Sequence, residues 1–140
     1  QFFKEMQAKY PGRFVLCQGF VPELARKIYG GSDIFLMPSK SEPCGLSQMV
    51  ALRYGSIPVV RETGGLKDSI TDSGDGKGNG FTFQTYDTQD MLNSVHRAIY
   101  AYNESKDGWK VLVERAMACD NSWGRSANDY IRLYKQLINS

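Results

Sequence analysis

Between Ser32 and Arg53 the chain reads SDIFLMPSKSEPCGLSQMVALR, and the residues here whose types and spacing could do chemistry are Glu42, Cys44, Gly45, Leu46 and Ser47. From Gly45 the apolar residues recur as Leu46, Met49, Val50 and Tyr54, a helical spacing. A helix that opens at a glycine leaves its first N–H groups uncovered. With the helix dipole, those groups form a seat for an anion, most often a phosphate. Glu42 stands three residues before that seat. A carboxylate beside an anion seat points to a ligand carrying both phosphate and hydroxyls, which describes a sugar nucleotide. The plainer reading has Glu42 capping or pairing within its own loop. Gly45 and Ser47 are then helix-start residues, serine being a common cap.

The elements that must position this loop can be read on either side of it. Ile34-Phe35-Leu36-Met37 is an unbroken apolar run of strand length, the pattern of a strand buried on both faces of a parallel sheet, and Pro38-Ser39 stops it. Upstream, Gln1–Tyr10 carries Phe2, Phe3, Met6 and Tyr10 on one helical face and is stopped by Pro11-Gly12. Arg13–Gln18 reads as a strand with Gly19-Phe20 at its carboxyl end, and Pro22 opens a helix that Gly30-Gly31 ends. Downstream, Gly55 closes a turn before the short apolar strand Ile57–Val60, whose carboxyl end carries Arg61–Gly65. A turn of helix or coil through Leu66–Ile70 and a polar, glycine-heavy loop over Thr71–Gly80 lead to the strand Phe81–Phe83. Three helical patterns finish the chain: Met91–Tyr102 capped by Asp87 or Thr88, Trp109–Ala116, and Tyr130–Ile138 opening near Ser122 or Ser126.

Strands alternating with helices across short loops imply an α/β fold, a doubly wound, mostly parallel sheet with helices on both faces. Ligands of such sheets bind at the carboxyl ends of the strands. Phe20, Glu42–Ser47 and Arg61–Gly65 all fall at such ends, which makes Thr63, Gly64 and Gly65 a possible second turn at the site. Phe20 is either an exposed ring on that rim or a core residue. Arg61 and Lys40 face either a phosphate or Glu62 and solvent. His96 reads as solvated or half-buried, and Trp109 and Trp123 as packing residues. Gly74–Gly80 is glycine-rich with a lysine, but without a strand before it and a helix after it there is no P-loop, and no glutamate completes a calcium loop from Asp72. A mobile surface loop is expected there.

The 140 residues are 41% hydrophobic and 23% charged, the proportions of one ordinary globular domain. A net charge of +2 without a basic run leaves no nucleic-acid footprint, and no apolar stretch reaches membrane length. Neither nucleic acid nor membrane is therefore expected as a partner. Cys17, Cys44 and Cys119 have no metal-ligand spacing and cannot all pair, so reduced thiols in a cytoplasmic compartment are expected.

Glu42-Pro43-Cys44-Gly45-Leu46-Ser47-Gln48, followed by Tyr54–Leu66 (YGSIPVVRETGGL), closely resembles the C-terminal domain of bacterial glycogen synthases and plant starch synthases. Those are retaining glycosyltransferases of the GT-B architecture. The likeness extends to Tyr29–Asp33 upstream, and to Ser122-Trp123 and Tyr130–Tyr134 near the end. What the resemblance implies is an ADP-glucose donor, an α-1,4-glucan acceptor, and a compartment that is cytoplasmic in a bacterium or plastid in a plant. Glu42 then addresses the donor sugar as the catalytic carboxylate. The backbone of Cys44, Gly45 and Leu46 lies along the glucose, Ser47 meets the distal phosphate, and Phe20 stacks on the adenine where relatives carry tyrosine.

Breaking the sugar–phosphate bond places oxocarbenium-like charge on the sugar and negative charge on the departing diphosphate, which a carboxylate and fixed N–H donors stabilise. One such donor can be worth ~3 kcal/mol of barrier. No metal cofactor is expected from this arrangement. Cys44 is either an inert small residue or, before a helix start, the most readily alkylated thiol, protected by ADP.

In the family the residues clamping the diphosphate and the acceptor-binding domain lie upstream of the matched region. Residues 1–140 are therefore expected to be part of a C-terminal nucleotide-sugar-binding domain, inactive alone and a weak binder of ADP or ADP-glucose. An uncovered sheet edge with self-association is expected as well. Rival readings are another retaining GT-B transferase, many of which place a second glutamate where this chain has Val50, and a non-catalytic nucleotide- or glucan-binding module.

Overall fold

In the computed structural model, which describes residues 1–139, three strands run parallel in the order β1 (Ile34–Met37), β2 (Ile57–Arg61), β3 (Phe81–Phe83). Ile34 lies opposite Ile57 and Val59 opposite Phe81. The four residues Ile57-Pro58-Val59-Val60 are all buried. Because neighbouring strand residues face opposite ways, this means β2 is covered on both faces. The helices are α1 (Phe2–Lys9), α2 (Pro22–Gly31), α3 (Ser47–Tyr54), α4 (Gly65–Ser69), α5 (Thr88–Glu104), α6 (Lys106–Met117) and α7 (Trp123–Ile138).

One core joins the sheet to the helices. Leu52 of α3, Leu66 of α4, Ala98 of α5 and Trp109, Leu112 and Ala116 of α6 close over Ile57, Val59, Val60 and Phe81. Each fully buried aliphatic side chain of this kind contributes roughly 1.5–3 kcal/mol. Element boundaries follow local chemistry. Pro22 occupies the first turn of α2, Gly55 closes α3 in the left-handed region (φ 78°), and the Asp87 carboxylate accepts from the Gln89 and Asp90 amides at the start of α5.

Four sequence expectations are corrected. Arg13–Gln18 forms no strand: its described neighbour is helix α1, where the Leu16 amide donates to Gln7 Oε1 and Phe14 stacks on Phe3, and a helix offers no ladder of hydrogen bonds. The run Ile34–Met37 is a strand but lies at the sheet's edge, with Leu36 43% exposed. Its sequence records only that the side chains avoid water, whereas a central place requires a second neighbour. Trp123 is 90% exposed rather than packed, and α7 buries none of its described residues.

The loop over Thr71–Gly80, read as mobile, is tied at many points. The Ser73 amide donates to Gly80, the Asn79 and Gly80 amides donate to Thr71, and the Asn79 side chain donates to the Ser69 carbonyl. Asp72 closes it. Its carboxylate takes both terminal nitrogens of Arg97 (2.8 and 2.7 Å) and the amides of Gly74 and Thr82. Partial burial pushes the Asp72 carboxyl up, but the Arg97 hydrogen bonds and the two amides outweigh it and hold it down at about 2.

Candidate functional site

The site is built on two turns that leave the carboxyl ends of β1 and β2. The first runs from Pro38 to Leu46. Gly45 sits at φ +70° and α3 begins at Ser47, so the helix opens two residues later than the spacing predicts. Gly45 is thus the turn that delivers the chain to the helix, and Ser47 is its first helical residue rather than its cap. Leu46 holds the cap position with no side-chain cap bond. As a result the amides of Gly45, Leu46, Ser47, Gln48 and Met49 find no acceptor among the described residues, and the first helical bond is from Val50 to the Leu46 carbonyl. Consecutive unpaired N–H groups at the start of a helix are a geometry from which an anion can accept. Cys44 is exposed and Leu46 is 69% exposed, so the seat is open to a ligand.

Glu42 is half-buried in the same turn, and its carboxylate takes no hydrogen bond or ion pair among the described residues. The bland reading of Glu42 as a cap or pair is therefore not what the chain does. Its backbone carbonyl, by contrast, is used: it accepts from the Gly65 amide at 3.2 Å. Thr63, Gly64 and Gly65 thus meet the first turn, and they do so through backbone. Gly64 has φ +46°, and a Cβ there would stand 2.0 Å from the Glu42 carbonyl oxygen; one on Gly65 would stand 1.8 Å from that of Cys44. No side chain fits at either position. The glycines let the second turn press against the backbone that carries Glu42 and Cys44.

Gln48, which the apolar spacing gave no reason to single out, lies under both turns. It is wholly buried, and its Nε2 donates to the Gly45 carbonyl (2.9 Å), the Cys44 carbonyl (3.3 Å) and Ser69 Oγ (3.1 Å). Ser69 Oγ in turn donates to the Gly65 carbonyl at 2.6 Å. The face of α3 turned to the core is Gln48, Ala51 and Leu52, while Leu46, Val50 and Tyr54 are exposed. Their apolar spacing marks the opposite side of the helix. The signal for Gln48 was its i, i+3, i+4 relation to Ala51 and Leu52, masked because glutamine reads as a surface residue.

Arg61 is committed to architecture. Its guanidinium donates to the carbonyls of Ser39 (2.9 Å), Lys40 (2.5 Å) and Gln84 (3.3 Å), fixing the start of the first turn to β2. Glu62 accepts from Thr82 Oγ1 at 2.7 Å rather than pairing with Arg61. Phe20 is 94% exposed just before α2, and no hydrogen bond or ring contact among the described residues joins it to the two turns. His96 is exposed on α5 and Trp109 is in the core. Among the described residues no group of three or more His, Cys, Asp or Glu is placed to hold a metal ion, and no helix is long and apolar enough to cross a membrane.

An open seat of helix-start amides beside a free carboxylate, on the carboxyl rim of a parallel sheet, can bind an anionic leaving group and a sugar together. The family model described as glycosyl transferases group 1 matches residues 1–108. The chain belongs to the group 1 glycosyl transferases. It is 52% identical to a glycogen synthase of Geobacillus thermodenitrificans and 51% identical to that of Geobacillus stearothermophilus, over 140 residues in each case. Each match covers 99% of the chain and 29% of the relative, so the chain spans under a third of the curated relatives it matches. Among solved structures it is similar to the catalytic domain of starch synthase IV from Arabidopsis thaliana bound to ADP and acarbose. That match has a TM-score of 0.85 and 40% identity, over 99% of this chain and 30% of that one. A sucrose-phosphate synthase from Thermosynechococcus elongatus shares the fold at a TM-score of 0.64 and 22% identity. The parallel strands and helices of this group 1 glycosyl transferase are thus the Rossmann-like layer of the GT-B fold.

Proposed function

We propose that this chain is the donor-binding portion of a glycogen or starch synthase, within its C-terminal nucleotide-sugar domain. Such an enzyme transfers glucose from ADP-glucose to the non-reducing end of an α-1,4-glucan with retention. The observation that carries the reading is the row of acceptor-free amides from Gly45 to Met49 beside the unpaired Glu42 carboxylate. In the proposed complex, Gly45, Leu46 and Ser47 face the diphosphate and hexose, Cys44 lines the sugar, and Glu42 stabilises positive charge developing at the anomeric carbon. Thr63, Gly64 and Gly65 hold that turn in place, and Phe20 stacks on the adenine. The amides carry the diphosphate's charge, so no metal is assigned. The glycogen synthase relatives and the ADP-bound starch synthase support the choice of ligand. Self-association through uncovered apolar surface belongs to the same proposal.

Two measurements test it. Titrating ADP into the labelled chain should shift the amide resonances of Gly45, Leu46 and Ser47 ahead of others. Placing residues 1–139 in the corresponding segment of the Geobacillus stearothermophilus glycogen synthase should give an enzyme that elongates glycogen from ADP-glucose. A folded hybrid that leaves ADP-glucose untouched overturns the reading.

A further inference from the structure

We infer that Gln48 is a positioning residue for the anion seat: its buried carboxamide turns the carbonyls of Cys44 and Gly45 inward and thereby aims the amides of Gly45 and Leu46 at the ligand. The inference deepens the proposed donor site and rests on that reading. A peptide unit is planar and, with no cis bond in the described chain, its C=O and the following N–H point opposite ways. Nε2 of Gln48 lies 3.3 Å from the Cys44 oxygen and 2.9 Å from the Gly45 oxygen, so both carbonyls face the interior. The N–H of Gly45 and that of Leu46, the second halves of those same two peptides, therefore face away from it. Neither has a protein acceptor. One buried side chain sets the direction of two adjacent donors.

This arrangement carries a cost in stability. The Gln48 Oε1 atom is buried without any partner, directly beneath Gly45, where a Cβ would approach it to 2.6 Å. An orphaned buried acceptor is a cost that native interiors ordinarily avoid. An apolar residue of the same length would remove the orphan but leave the Cys44 and Gly45 carbonyls without their buried donor. The donating end of the carboxamide serves the Cys44 and Gly45 carbonyls and Ser69 Oγ, and Ser69 links it to the Gly65 carbonyl of the second turn.

The test compares the chain with its Gln48→Met and Gln48→Glu variants, following the thermal midpoint and ADP affinity by NMR titration. Methionine keeps length and removes the orphan and all three donated bonds. Glutamate replaces the donor with oxygens that repel the two carbonyls. The expected result is a Gln48→Met protein that keeps a cooperative melt, its midpoint lowered by the carbonyls left without a donor, yet binds ADP at least tenfold more weakly, with Gly45 and Leu46 no longer the amides that shift most. Gln48→Glu should lose ADP binding to the same degree or more. Unchanged ADP affinity in Gln48→Met overturns the inference while leaving the donor site standing. Loss of a cooperative melt in Gln48→Met also overturns it, since the carboxamide would then be holding up the fold. If the parent chain shows no ADP-dependent shifts in this loop, the donor reading falls first and the inference with it.

Discussion

Glu42 and the glycines that face it make opposite demands on the same short turn. The Glu42 carboxylate takes no hydrogen bond or ion pair among the described residues, so Glu42→Gln should alter stability by no more than about 0.5 kcal/mol. It should leave ADP affinity intact, because the side chain addresses the hexose. Glucose transfer by the Geobacillus hybrid carrying it should drop on the order of 10²–10³-fold, the size of one electrostatic contact to a transition state. Gly65→Ala should do the reverse. Its Cβ would meet the Cys44 oxygen at 1.8 Å and that residue's carbonyl carbon at 2.5 Å, and both are backbone. Relief requires the turns to part, at roughly 1–3 kcal/mol read from a urea melt, together with loss of ADP binding. Thiol chemistry reports on the same turn without mutation. Cys17 and Cys44 are exposed, whereas Cys119 is half-buried, with its sulfur accepting from Asn79 and donating to the Arg115 carbonyl. Alkylation followed by mass spectrometry should label Cys17 and Cys44 well before Cys119, and ADP should slow Cys44 alone.

At the scale of elements, what could be read from the sequence was what burial writes into it. Ile57–Val60 of β2 is an apolar run because both of its faces are covered, and the glycines and Asp87 that bound the helices act through local backbone chemistry. Pairing is not written in the same way. Arg13–Gln18 and Ile34–Met37 are equally strand-like, yet one forms no strand and the other an edge, because each outcome depends on a neighbour outside the segment. The candidate turn was legible for a related reason: Glu42, Gly45 and Ser47 carry their chemistry in their own types. Gln48, Asp72 and Arg97 do not, because a buried amide and a clamped ion pair look like ordinary surface residues until the fold brings their partners to them.

The Asp72–Arg97 clamp also makes the fold sensitive to acid. Asp72 is held at about 2 in the folded chain against an ordinary 3.8, so the folded state binds this proton less readily than the unfolded one. Its stabilising contribution is therefore complete above pH 4 and is lost as pH falls through 3.8 to about 2. Urea midpoints measured from pH 5 to 2 should fall steeply in that window for the parent chain, and less steeply for Asp72→Asn, which starts lower and has no carboxylate there to titrate.

For the molecule as a whole, the open question is what its uncovered apolar surface does. Trp123, Tyr130, Ile131, Tyr134 and Ile138 lie along one side of α7 at helical spacing and are all at least 49% exposed, while Leu36 adds apolar area at the unpaired edge of β1. Fully burying one such side chain contributes roughly 1.5–3 kcal/mol, so two copies of α7 that cover three side chains each gain on the order of 10 kcal/mol. Association costs about 4–15 kcal/mol in lost freedom of motion; where that cost lies at its low end, about 4–6 kcal/mol, the surplus gives a weak complex with Kd on the order of 40–1,000 μM. Sedimentation velocity across that range should show the 15.7 kDa monomer giving way to a larger species as concentration rises. Ile131→Lys with Tyr134→Lys should restore the monomer, because two charges at the centre of the stripe cannot be buried against their own copies. ADP affinity should be unchanged, since Ile131 and Tyr134 are exposed on α7 and neither belongs to the turns that carry Glu42 and Gly45. A single monomeric boundary at every concentration would show that the stripe is not used between copies of this chain. If the double variant binds ADP less well, α7 is tied to the donor rim after all.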